Sequence, residues 1–215
     1  MKRILSLILV ISLSLLSLVS CGDRKYDEAE VKAAARALIS DSEILNEIFW
    51  GSGIPYIDDK NTSDGVYYEA YYAYHKNLGV ETLEDLKTLA GKTFSEDQCS
   101  LIESTILSSV TVGDEVYSLA RYYQKVSVLN DKEIPECIMV NTDWDNLLIG
   151  EAVYDLDSIE VIGSEDETVY VTVNATVTYE DYTPQTRTIR VSLVEEDAGW
   201  RLDSPTYISY DLTKK

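Results

Sequence analysis

The segment Thr168–Asp181 reads TVYVTVNATVTYED and decides the fold class. Small apolar residues occupy every second position, and tyrosine, threonine or asparagine lies between them. Because successive side chains of a β-strand point to opposite faces of the sheet, this alternation predicts a strand with one buried face. The buried face is predicted to contain Val169, Val171, Val173, Ala175 and Val177.

Further strands are predicted on both sides of this segment. YDLDSIEVIGSED precedes it with a turn at 163–167, and QTRTIRVSLVEED and GWRLDSPTYISYD follow it, joined at 197–199. A shorter candidate is CIMV at 137–140. Consecutive strands with short connections predict an antiparallel meander.

Helices are predicted before the meander. From Tyr26 to Trp50 the apolar residues recur at helical spacing, and GSGIP at 51–55 ends the pattern. Two shorter helices are predicted, one from Thr82 to Gly91 and one that starts at Ser95, where Gln98 completes a capping box. The inward stripe of the second is predicted to contain Phe94, Leu101, Ile102, Thr105 and Ile106.

The sequence therefore predicts an α+β fold, with N-terminal helices packed on a curved antiparallel sheet. The segment Val112–Asn130 is compatible with a helix or a strand. GVYYEAYYAY at 65–74 alternates with period two and predicts a strand of about ten residues. Its mixed face would carry Tyr67, Glu69, Tyr71 and His75.

The N-terminus has the pattern of an export signal. Lys2 and Arg3 precede an apolar run of 16 residues, which is shorter than the roughly 20 needed to span a bilayer. LVSC at 18–21 resembles the lipobox of bacterial lipoproteins, which implies cleavage before Cys21 and lipid on its sulfur. A plain signal peptide or an uncleaved anchor helix are the alternatives. We expect a signal at 1–20, a lipidated tether at 21–27 and a single domain at 28–210, held outside the bacterial cell membrane.

The chain is strongly acidic. It has a formal net charge of −20, and loss of the first 20 residues leaves 16 basic and 38 acidic residues, a net charge near −22. This charge excludes nucleic acid and anionic lipid surfaces as binding partners. A basic protein or a cation is compatible with it, as is a simple role in solubility.

Catalytic and metal-binding patterns are weak. His75 is the one histidine; a triad needs such a base, and a pairing with a cysteine thiolate has no supporting spacing. Zinc-ligand clusters, phosphate-binding loops and dinucleotide fingerprints do not occur. DKNTSDG at 59–65 lacks the glycine and glutamate of an EF-hand. We therefore expect a binding protein without metal or cofactor, not an enzyme.

Two cysteines and four aromatic residues are the remaining candidates. Cys99 and Cys137 could form a disulfide, or Cys99 could be a buried thiol on a helical stripe. Aromatic side chains on rigid elements are good binding anchors. On that basis the binding candidates are Tyr67, Tyr71, Trp144 and Trp50. The alternative for Trp50 and Trp144 is a place in the core, which is where we expect Trp200.

The order of a long helix, a strand, two short helices and a terminal meander ending GWRLDSPTY is similar to the nuclear transport factor 2-like, or cystatin-like, superfamily. With the lipobox, the tyrosine segment and ETLEDLKTLAGKTFSEDQ at 81–98, the chain resembles exported IseA-type proteins. That resemblance implies inhibition of DL-endopeptidases, the hydrolases that cut peptidoglycan stem peptides, by binding a basic hydrolase. The alternative is a surface lipoprotein that binds a glycan or small ligand in a tyrosine-lined pocket between helix and sheet.

Overall fold

The structure, a computed structural model, describes residues 26–57, 67–108, 110–112, 115–118, 120–129, 132–144, 150–179 and 183–209. Within these ranges the chain combines helices with antiparallel sheets. The α+β class predicted from the sequence is therefore confirmed.

Helix α1 spans Glu28–Phe49, inside the predicted range. The Asp27 carboxylate caps it by accepting the backbone N–H groups of Ala29 and Glu30 at 2.8 and 3.2 Å. An acid at this end also faces the positive end of the helix dipole. One face of α1 is buried, and its apolar members are Val31, Ala35, Leu38, Ile39, Leu45, Ile48 and Phe49.

Three short helices follow, α2 (Tyr72–Asn77), α3 (Leu83–Thr93) and α4 (Glu96–Ile102), and a π-helical turn at Glu103–Leu107 continues α4. Helix α3 runs two residues beyond its predicted end. Thr82 caps it in a full capping box with Asp85.

Of the two hydrogen bonds of the capping box predicted at the start of α4, only one is present. The Ser95 hydroxyl accepts the N–H of Gln98 at 3.2 Å. The Gln98 side chain does not close the capping box, because its amide donates to the carbonyl of Asp203 instead, at 3.4 Å. The inward stripe is also narrower than predicted: Leu101 is 50% exposed and Thr105 is exposed. The π-helical turn changes the phase of the positions that follow it.

The prediction of a ten-residue strand in the tyrosine-rich segment 65–74 is wrong. Only β1 (Tyr67–Glu69) is a strand, Ala70 forms a single bridge to Tyr56, and α2 begins at Tyr72. The same segment also fits a helix. In α2 and its C-cap, the residues that are partly or fully buried are Tyr74, His75 and Leu78, and they lie at helical spacing. Tertiary contacts select the helix here over the period-two alternative.

Eight further strands complete the three sheets: β2 (Val110–Val112), β3 (Glu115–Ser118), β4 (Tyr122–Leu129), β5 (Lys132–Asn141), β6 (Glu151–Glu165), β7 (Thr168–Thr178), β8 (Gln185–Glu196) and β9 (Gly199–Leu202). The sheet orders are β1-β5-β4, β2-β3 and β6-β7-β8-β9, all antiparallel. The ambiguous segment 112–130 is thus mostly strand, and the predicted terminal meander is confirmed.

The core lies between α1 and the meander. The predicted face of β7 is buried, with Val169, Val171, Val173, Ala175 and Val177 each at most 3% exposed. The first three of these valines, together with Val191, Leu193 and Leu202, belong to one cluster with the buried face of α1. Ala175 and Val177 form a smaller cluster with Tyr179 and Ile208. Each fully buried aliphatic side chain stabilises the fold by about 1.5–3 kcal/mol, so this contact fixes where α1 crosses the sheet.

A buried arginine connects α1 to the rest of the chain. The guanidinium of Arg121, 2% exposed, donates to the carbonyls of Phe49 at 3.0 Å and Gly51 at 2.7 Å. A cation here faces the negative end of the α1 dipole. Gly53 has φ +82°, and a Cβ there would lie 2.4 Å from Nη2 of Arg121. The GSG turn therefore needs glycine at 53 both for its dihedral and for this close approach.

Replacing Arg121 by methionine should lower the free energy of unfolding by about 1–3 kcal/mol, because two buried carbonyls lose their donor. Urea denaturation followed by circular dichroism measures this. Arg36→Met is the matched control: Arg36 bonds Asp157 at 2.7 Å on the surface, where an ion pair contributes about 1 kcal/mol or less. Equal losses in the two variants would contradict the role assigned to Arg121.

Candidate functional site

Tyr67 and Tyr71 do not form a shared binding face. The Tyr67 hydroxyl donates to the carbonyl of Ala120 at 2.9 Å, and its ring lies edge-on to Tyr123 with 4.7 Å between centroids. Tyr71 is 50% exposed and precedes α2. The predicted stacking platform is therefore wrong, since the strand ends between the two tyrosines.

The two candidate tryptophans both contact the core. Trp50 is 9% exposed and lies 4.9 Å from the ring of Tyr207 and 6.1 Å from that of Phe94, so it is core and not a surface anchor. Trp144 is half-buried against the same cluster. Trp200, expected in the core, also packs against it but keeps part of its surface open.

The structure contains no disulfide between Cys99 and Cys137. Cys99 is half-buried, and its Sγ lies 3.6 Å from the carbonyl of Phe94. Burial raises the pKa of the Cys99 thiol, the carboxylates of Glu196 and Glu96 raise it further, and Arg201 partly opposes them.

His75 is buried, with Nε2 at 3.0 Å from the carbonyl of Ala70. Among the contacts of the described residues, none joins this imidazole to a cysteine.

The predicted lipid attachment at Cys21 and the segment 59–65, which was compared with an EF-hand loop, lie outside the described residues. In the described part of the chain no helix is long and apolar enough to cross a membrane.

An acidic groove lies at one end of the meander. It consists of two adjoining depressions of about 540 and 300 Å³, both of which include Asp166 and Glu167 of the β6–β7 turn. The other carboxylates of this acidic groove are Glu96, Asp97, Glu195, Glu196 and Asp203. Within the described ranges, no three of these acids converge as ligands of one metal ion.

Hydrogen bonds fix two of the groove carboxylates, one to a backbone N–H group and one to a side-chain hydroxyl. Glu196 accepts the N–H of Glu96 at 2.8 Å, which holds β8 against the start of α4. Asp203 accepts the hydroxyl of Ser95 at 2.7 Å. These two carboxylates therefore connect the start of α4 to the sheet. Their negative charge is held in place by these hydrogen bonds.

The smaller depression adds aromatic surface. Tyr26 and Trp200 line it together with Ser164, Val169 and acids of the groove. In the described structure the indole N–H of Trp200 is buried and has no acceptor. Arg201 follows Trp200 in the chain, but its Nε donates to the carbonyl of Gly91 at 2.9 Å. The groove therefore offers dense negative charge beside a partly open indole.

The candidate residues from the sequence missed this site. Its acids come from short runs at turns and helix starts, SEDE at 164–167, EED at 195–197 and SEDQ at 95–98. Such runs are usual in turns. The pairing of β7 with β8 brings 164–167 next to 195–197, and the contact of Phe94 and Ser95 with Leu202 adds the start of α4. The recurrence of acidic runs at two turns and one helix start would have been the signal.

Comparison with known proteins adds no relative: no protein-family model matches the chain, and no curated protein or solved structure is significantly similar to it. What the acidic groove binds is inferred below from its own shape and charge.

Proposed function

We propose that this protein is a bacterial lipoprotein, attached outside the cell membrane through Cys21, that binds a basic partner protein at the acidic groove. One observation carries the proposal: seven carboxylates from four segments of the chain surround a groove whose wall includes the partly open ring of Trp200. Complementary charge steers a basic partner to such a surface, and a tryptophan on a strand is a low-entropy anchor.

The shape of the domain favours a protein over a ligand enclosed by the sheet. The centre of the helix-facing side of the meander is filled by the core of α1 and β7–β9. The acidic groove, in contrast, is an open depression at one end of the meander, where turns and a helix start meet. Such an open groove suits a protruding basic segment of another protein.

The partner we propose is a cell-wall hydrolase of the DL-endopeptidase class, which the protein would inhibit. Support comes from the lipobox, which would place the protein next to the wall, and from the resemblance to IseA-type inhibitors. The cystatin-like, or nuclear transport factor 2-like, fold belongs to the same proposal. It is supported by the order of a long helix, short helices and a terminal meander, and by the packing of α1 on that meander.

No catalytic step is assigned to the protein in this proposal. Its action would be to cover the hydrolase, and neither the Cys99 thiol nor the His75 imidazole is given a role. Binding of a glycan or small ligand remains the alternative prediction, and the pocket that bears on it is described in the next subsection.

The proposal is tested by digesting peptidoglycan with a purified DL-endopeptidase in the presence of the protein. We expect inhibition that weakens as salt rises, because screening reduces attraction between exposed charges. The variant Glu167→Gln/Glu195→Gln should raise the inhibition constant on the order of tenfold, since it removes two charges from the groove.

The matched control for this test is Asp41→Asn/Glu160→Gln, which removes the same charge from exposed positions outside the groove. It should leave the inhibition constant within about twofold of the original protein. Equal weakening by both variants would show a diffuse charge effect and not a groove. No inhibition of several basic hydrolases would reject the proposal.

Attachment to the membrane has its own test. In a bacterial host fed a labelled fatty acid, the original chain should carry the label and sediment with membranes. Cys21→Ser should lose the label because the sulfur that forms the thioether is gone. Ser20→Thr, which keeps Cys21, is the control. Label on the Cys21→Ser protein would contradict the lipoprotein assignment.

A further inference from the structure

A second pocket lies between α1 and the start of β6, with a volume of about 210 Å³. Glu43, Asn46 and Glu47 of α1 form one wall, and Gly150–Tyr154 and Tyr207 form the rest. The volume is below the roughly 300–1,000 Å³ of pockets for drug-sized ligands. It has room for one small chemical group.

An unused acceptor lies in the wall of this pocket. Asn46 is 5% exposed, and its Oδ1 has no hydrogen-bond partner in the described structure. Its Nδ2 donates to the hydroxyl of Thr206 at 2.9 Å. Thr206 in turn contacts the hydroxyl of Ser42 at 2.5 Å, and Ser42 donates to the carbonyl of Ile39 at 2.7 Å.

This chain of bonds fixes which way the Asn46 amide faces. Because Ser42 donates to Ile39, Thr206 donates to Ser42, and the oxygen of Thr206 is left to accept from Nδ2 of Asn46. The amide therefore keeps its nitrogen toward Thr206 and its oxygen free to accept. A buried carbonyl oxygen without a donor is costly, so the site calls for a donor from outside the chain.

Most of the other polar side chains of the pocket wall are acceptors or are already used; the hydroxyl of Tyr207 is the exception, since a phenol can donate as well as accept. Glu43, Glu47 and Glu151 supply carboxylates, and no basic side chain is among the described residues that line the pocket. Burial raises the pKa of Glu43. The hydroxyl of Tyr154 donates to the carbonyl of Thr206 at 2.8 Å, so it offers no donor to a ligand.

Two aromatic rings complete the pocket. Burial raises the pKa of Tyr154 to about 12, and the charge of Glu43 contributes to this. The phenol therefore stays neutral at physiological pH and its ring can face a cation. Tyr207 is held by its contact with the buried ring of Trp50 at 4.9 Å.

We propose that this pocket binds a primary ammonium group carried on an unbranched alkyl chain. An ammonium has three N–H donors and no acceptor. One would satisfy Oδ1 of Asn46, the carboxylates would accept the others, and the tyrosine rings would contact the alkyl chain. An anion is disfavoured by the three carboxylates, and a neutral sugar would find almost no donors for its own oxygens.

The proposal is independent of the partner protein at the acidic groove, because the two sites share no lining residue. An ammonium could come from a free alkylamine or from a lysine side chain of another protein. The shared chemistry is a protonated amine on an unbranched chain, and the probes below separate the two sources.

The test is a calorimetric titration of the full chain, in a non-ionic detergent, with n-butylammonium chloride at pH 8. Acetylated lysine methylamide is titrated in parallel, and n-butanol and potassium chloride serve as probes without the ammonium or without the chain. We expect saturable binding of both amines. Tighter binding of the lysine derivative would indicate a protein side chain, and tighter binding of butylammonium a free amine; both outcomes support the proposal.

Exposed variants keep the test free of folding effects. Glu43→Gln/Glu151→Gln should weaken amine binding about tenfold or more, because hydrogen bonds to charged groups are lost. Asp41→Asn/Glu160→Gln should leave it unchanged within about twofold. Asn46→Leu should also weaken binding, provided that its circular dichroism spectrum matches the original.

Three results would overturn the proposal. They are no saturable binding of either amine, equal binding by the glutamine variant and the original, and comparable binding of potassium or butanol. The first would leave Asn46 facing a water molecule, and the last would show a site without selectivity for ammonium. None of these results would change the inhibition expected from the acidic groove, so failure of one proposal is distinguishable from failure of the other.

Discussion

A buried positive charge at the end of the long helix is the constraint on which the rest of the structure depends. Arg121 caps α1 through its guanidinium, receives the N–H of Asn141 at its carbonyl at 2.9 Å, and donates its own N–H to Ile106 at 2.8 Å. One residue thereby joins the helix, the π-helical turn and β5. A buried charge is costly unless its donors find partners. The carbonyls of Phe49 and Gly51 accept from Nη1 and Nη2 without a carboxylate, while the buried Nε has no hydrogen-bond partner in the described structure.

The position of α1 determines where polar groups can gather. The helix fills the centre of the meander with apolar side chains, so acids are confined to the edges. At one end of the meander the β6–β7 turn, the end of β8, Asp203 and the start of α4 form the acidic groove, and elsewhere α1 and β6 enclose the smaller pocket around Asn46. Seven carboxylates line the groove and three line the pocket, so ten of the 38 acidic residues of the chain lie at these two sites.

The sequence predicted those elements whose pattern has one reading. The valine alternation of β7, the periodic face of α1 and the capping residue Thr82 each appear where local chemistry places them. The prediction for the tyrosine-rich segment failed because its residues fit both a strand and a turn of helix. Contacts with residues distant in sequence decide between the two. The acidic groove and the Asn46 pocket were not predicted, because each is assembled from segments that lie far apart in the sequence. The groove combines 95–97, 166–168 and 194–203, and the pocket combines 43–47, 150–154 and 207.

Amide hydrogen exchange of the protein, alone and mixed with a basic DL-endopeptidase, tests the central claim most directly, because exchange slows where a partner covers the backbone. Binding at the acidic groove predicts slower exchange in 164–168 and 194–200, with the face around Tyr56 and Tyr71 unchanged. Slower exchange around Tyr56 and Tyr71, which are 45% and 50% exposed, with 164–168 and 194–200 unaffected, would contradict it and place the partner on the surface around these two tyrosines instead.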